Sequence, residues 1–80
     1  MIKLEDLDIV SKLTKICEKY HDEMFVDILN GRYVVNGASI LGVTSLLGNI
    51  VTIDPNTDDT ELINTFYNDI KEIGAWEVIK

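Results

Sequence analysis

Residues 30–53 read NGRYVVNGASILGVTSLLGNIVTI, and this stretch leaves the chain few ways to fold. Asn30-Gly31 stands between two apolar alternations, the strongest short-range hairpin signal, because both residue types tolerate positive φ in a two-residue turn. The β-rich pattern of Arg32-Tyr33-Val34-Val35 stops at Asn36-Gly37. Ser39 then occupies the N-cap position of a short helix predicted over 40–47, where its hydroxyl accepts from an otherwise orphaned amide. Gly48 is the natural C′ residue to end that helix. Asn49 to Ile53 returns as a strand, and Pro55-Asn56 closes the unit in a predicted loop over 54–58.

The flanking segments supply what this unit must pack against. Ile2 and Leu4 alternate with Met1 and Lys3 in a short first strand. Asp6 or Asp8 caps the helix after it, and both acids suit the positive end of a helix. Ile9, Val10, Leu13, Ile16, Cys17 and Tyr20 recur at spacings of three and four, an amphipathic stripe with Lys12, Lys15, Glu18 and Lys19 opposite. After the polar break His21-Asp22, residues 23–29 alternate Met24, Val26 and Ile28 inward as a strand. Asp58 with Glu61 reads as a capping box in which Asp replaces Ser or Thr. Leu62, Ile63, Phe66, Tyr67, Ile70 and Ile73 form the last stripe, which Gly74 ends. The order is β-α-β-β-α-β-α. Each helical stripe needs an apolar partner, and a four-stranded antiparallel sheet with the helices on one face satisfies all of them. The fold class is α+β, an open-faced β-sandwich, with one domain over 1–74 and a tail over 75–80 whose Trp76, Val78 and Ile79 predict docking.

Fourteen acidic against seven basic residues give a net charge of −7, which disfavours nucleic acid and anionic membrane surfaces as partners. One cysteine cannot form an internal disulfide. With no leader pattern and no apolar run long enough to span a bilayer, the cytoplasm is the expected location. A monomer is expected.

Little in the chain asks for catalysis. His21, the one imidazole, lacks a supporting constellation, and a single His and Cys without CxxC or HxxxH spacing make no zinc site. Asp54, Asp58, Asp59 and Glu61 do not match an EF-hand loop, and helix capping accounts for Asp58 and Glu61. No phosphate-binding glycine loop or nucleophile elbow is present. No enzyme activity, cofactor or metal is expected. Ser39 is the residue singled out: a cap and nothing more, or a cap that also accepts a phosphoryl group. Ile40 and Leu41 follow it. Either both are buried, or they form an exposed apolar pair beside the cap, a docking patch.

The segment VNGASILGVTSLLG resembles the surroundings of the regulatory serine in HPr, the small phosphocarrier of the bacterial sugar phosphotransferase system. In that family the serine is followed by two apolar residues, a glycine, an apolar residue and, two places later, Ser-Leu. Here those places hold Ser39, Ile40, Leu41, Gly42, Val43, Ser45 and Leu46. The resemblance extends more weakly over about residues 1–74 and implies the HPr-like form of the same fold. It implies regulatory phosphorylation of Ser39 and protein contacts through Ile40 and Leu41. The family's phosphorylatable histidine lies in a Gly-x-His-x-Arg-Pro motif. Counted back from Ser39, its histidine falls on Asp8, its arginine on Val10 and its proline on Ser11. The expectation is therefore a non-catalytic regulator or adaptor of sugar phosphotransferase metabolism, with a phosphotransferase component, a serine kinase or a transcriptional regulator as partner. The alternatives are a phosphocarrier with an atypical acceptor and an interaction module unrelated to sugar uptake.

Overall fold

The computed structural model describes residues 1–74; the docking expected of Trp76 and its neighbours lies outside the described residues. The elements are β1 (Ile2–Lys3), α1 (Leu7–Lys19), β2 (Phe25–Asn30), β3 (Tyr33–Asn36), α2 (Ile40–Thr44), β4 (Ile50–Asn56) and α3 (Thr60–Lys71). All strand pairs are antiparallel, in the order β1-β4-β2-β3, so β3 and the very short β1 form the edges. The helices cover one face. Ile2, Val26, Ile28, Val51 and Ile53 point into it and meet Val10, Leu13, Cys17, Val43, Phe66 and Ile70, all buried. The opposite face carries Phe25, Asp27, Leu29, Thr52 and Asp54 by strict alternation.

Four local details depart from the sequence expectation. The hairpin turn is Gly31-Arg32, since Asn30 already pairs with Tyr33; only Gly31, at φ 60°, has a positive φ there. Glycine first and a negative φ second is the φ pattern of a type II′ turn, so Asn30 remains in the strand. β4 runs on through Asp54, Pro55 and Asn56, where a loop was predicted. Proline is tolerated because β1 flanks β4 only at Ile50 and Val51, leaving an open edge beside Pro55. The cap of α3 is Asp59, whose carboxylate accepts from the Leu62 amide at 3.2 Å, so Asp58 and Glu61 form no capping box. Thr57 selects this register by accepting from the Asp59 amide. The fourth departure, in α2, belongs to the candidate site.

α1 and α3 are joined by polar as well as apolar contacts. The Tyr20 hydroxyl donates to the Asp69 carboxylate at 2.6 Å, Lys19 reaches the same oxygen at 3.1 Å, and Tyr20 meets Phe66 edge to face. Desolvation, together with the bond to Asp69, pushes the Tyr20 phenol up to about 12. The same hydroxyl, with Lys19, holds the Asp69 carboxyl below its ordinary value.

Candidate functional site

The segment leading into α2 is pinned before the helix starts. The Gly37 amide donates to the Val26 carbonyl at 2.8 Å, and a Cβ there would lie 2.7 Å from Cys17 Sγ. Only glycine lets the chain pass so close to α1. Asn36 Oδ1 accepts from the Ala38 amide, and the Ser39 amide donates to the Asn36 carbonyl. Ser39 is thereby held in extended backbone, with φ −92° and ψ 106°, and its exposed hydroxyl accepts from the Gly42 amide at 3.2 Å. Gly42 contributes by being small: a Cβ would sit 3.3 Å from both Ser39 Oγ and Val35 Cβ.

α2 itself ends at Thr44, short of the predicted 47. The Thr44 hydroxyl donates to the Ile40 carbonyl at 2.6 Å, and the Ser45 hydroxyl donates to that of Gly42. Such back-bonding competes with the helical ladder, and Gly42 lowers helix propensity further. The chain continues in tighter turns, with Leu46 and Leu47 amides donating to Val43 and Thr44 carbonyls. Gly48 has the positive φ of a terminator, 89°, but its amide donates to the Leu4 carbonyl at 2.6 Å. That bond ties the end of the α2 unit to the residues that open α1.

A helix of five residues buries one narrow stripe. Val43 takes it, followed by Leu46 in the turns, and both are buried. Ile40 and Leu41 are left outside, 49% and 83% exposed. This decides between the two outcomes open in the sequence: the pair is exposed, beside the cap. Leu7 and Leu47, 61% and 41% exposed, lie close in sequence to the two residues joined by the Gly48–Leu4 bond and are further apolar side chains left in water. The sequence reading missed both. Leu7 is apolar but off the α1 stripe, and that mismatch was the available signal.

The remaining candidates do not converge. Asp8 is exposed in the first turn of α1 and paired with Lys12 at 3.0 Å; the helix cap is Asp6, which accepts from the Ile9 amide at 3.0 Å. His21 is exposed past the C-terminus of α1, edge-on to Phe25. Cys17 is buried, and desolvation, assisted by Glu18, pushes its thiol up to about 12, so no thiolate is available near neutral pH. Among the described residues, no three His, Cys, Asp or Glu side chains converge to hold a metal ion. No helix there is long and apolar enough to cross a membrane.

Neither a known sequence family nor a curated protein matches the chain. Among solved structures, it is similar to the crystal structure of HPr-C-His from Thermoanaerobacter tengcongensis, with a TM-score of 0.67 at 21% identity over 96% of this chain and 92% of the other. So low an identity carries fold and not activity. By architecture, the chain is an HPr-like α+β domain.

Proposed function

We propose that this chain is a non-catalytic HPr-like adaptor that docks partner proteins through Ile40 and Leu41, with Ser39 as a regulatory phosphorylation site. The observation that carries the reading is the exposure of both apolar side chains directly after an exposed cap serine. Leaving a leucine 83% in water brings no folding benefit, whereas covering it in a complex stabilises the complex. HPr homologues work by protein contact, which supports the coarser part of this reading. Where the family's motif has its histidine, this chain has Asp8, whose carboxylate is already paired with Lys12. Phosphoryl transfer from a phosphotransferase component therefore finds no imidazole at that position, and the exposed His21 lies past the opposite end of α1. A phosphoryl group on Ser39 Oγ adds roughly −1.5 to −2 of charge beside the apolar pair, enough to alter what docks there.

The test is intact-mass analysis after incubation with ATP and an HPr-directed serine kinase. One added phosphoryl group is expected, absent in Ser39→Ala and formed more slowly in Leu41→Gln. Incubation with phosphoenolpyruvate and enzyme I is expected to add none. An unmodified Ser39, together with an acid-labile phosphoryl group acquired from enzyme I, sinks the reading in favour of a phosphocarrier with an atypical acceptor.

A further inference from the structure

We infer that the partner covering this face is a basic amphipathic segment: an apolar helix or loop ringed by lysine and arginine. The inference rests on the docking reading above and adds the partner's chemistry, which is set by where the charges lie. Residues 37–53 contain no charged side chain, so α2 and the turns after it offer only apolar and hydroxyl groups. The charges around that strip come from α1 and its approach. At one end stands Glu18, next to Cys17, whose sulfur abuts the backbone of Gly37 two residues before Ser39. At the other end, the Gly48–Leu4 bond brings in Glu5 and Asp6, both exposed. Leu7, Ser11 and Glu18 follow at helical spacing along the flank of α1 turned away from α3.

Most of the described cations are placed elsewhere. Lys12 and Lys15 line the groove between α1 and α3 with Ile16, Asp69, Glu72 and Ile73. Lys12 is also engaged by Asp8, and Lys19 by Asp69. Lys3 alternates with buried Ile2 and Leu4 and so faces the other side of the sheet. Arg32 sits in the hairpin turn, and Lys71 ends α3. The face is thus an apolar strip with acids at both ends; Lys15, which falls between Ser11 and Glu18 at helical spacing and also borders the groove toward α3, is outnumbered there by Glu5, Asp6 and Glu18. A partner with an acidic rim would meet like charge there, and one with a basic rim meets opposite charge and is steered to it. The same arithmetic disfavours a second copy of this chain, which carries −7 itself.

Two synthetic amphipathic helical peptides provide the probe, with one leucine face in common and either lysine or glutamate on the polar face. Binding is followed by amide chemical shifts of the whole chain. The lysine peptide is expected to bind, to lose affinity as salt is raised, and to perturb the amides of Leu7, Leu41 and Leu47. Leu41→Gln, and separately Glu5→Lys combined with Glu18→Lys, are each expected to weaken it about tenfold. A glutamate peptide binding equally well at the same amides overturns the basic partner but leaves the docking face standing. Failure of both peptides, or shifts centred on Phe25 and Val34 of the open sheet face, overturns the inference and the docking reading together.

Discussion

Replacing Ser39 separates its two roles, because the cap and the switch respond to different substitutions. Ser39→Ala removes the oxygen that accepts from the Gly42 amide at 3.2 Å. N-cap truncations cost about 0.5–2 kcal/mol. The lower half of that range applies here, because the bond is exposed and the helix it caps has only five residues. About 0.5–1 kcal/mol in a domain of this size lowers Tm by roughly 2–8 °C. Ser39→Asp keeps an acceptor in place. So short a helix has little dipole to reward the added charge, so Tm within about 2 °C of wild type is expected. Thermal unfolding by circular dichroism at neutral pH reads both. If Ser39→Ala melts with wild type, the cap contributes nothing and the account of α2 is wrong. If Ser39→Asp falls as far as Ser39→Ala, the carboxylate does not replace the hydroxyl, and Asp is no stand-in for a phosphoryl group at this position.

Gly37→Ala should be destabilising by about 1–3 kcal/mol in urea titrations, since its Cβ would press on Cys17 Sγ and the Val26 carbonyl. Cys17→Ala in the same chain removes the sulfur and should restore part of the loss attributable to Gly37→Ala; an unchanged coupling would mean the crowding is with the backbone alone. The contact between α1 and α3 should depend on pH. Because Tyr20 and Lys19 hold the Asp69 carboxyl below its ordinary 3.8, its contribution is complete above that value and disappears as pH falls through the lower folded-state value. The Tm difference between wild type and Tyr20→Phe should accordingly narrow as the solution is acidified below 3.8, and a difference that widens would reverse the sign of the argument.

How much was legible depends on the range of each interaction. The stripes of α1 and α3, the alternation of β2 and the presence of a hairpin were readable because hydrophobic period is a local property that the core then enforces. The cap at Ser39 was readable for the same reason: donor and acceptor lie three residues apart. The register errors lay where two local choices are nearly equal. Asn30-Gly31 and Gly31-Arg32 both make acceptable turns, and the pairing of β2 with β3 over residues 27–36 chose between them. Asp58 and Asp59 both cap well, and Thr57 decided.

What the sequence determined by itself was the set of elements and their order, since propensity, period and capping act over a few residues. Tertiary structure decided which apolar side chains the core had room for. The early end of α2 is itself local, a consequence of the Thr44 and Ser45 hydroxyls. That Val43 and Leu46 are covered while Ile40, Leu41, Leu47 and Leu7 are not depends on how α2 lies against α1 and β3. That placement is set by close approaches across the chain, Gly37 on Cys17 and Gly48 on Leu4, between residues 20 and 44 positions apart in sequence (37 − 17 and 48 − 4). No periodicity encodes such contacts. Ile40 and Leu41 are exposed because a five-residue helix has one inward stripe, which Val43 takes; Leu47, in the turns after it, and Leu7, at the start of α1, are exposed as well.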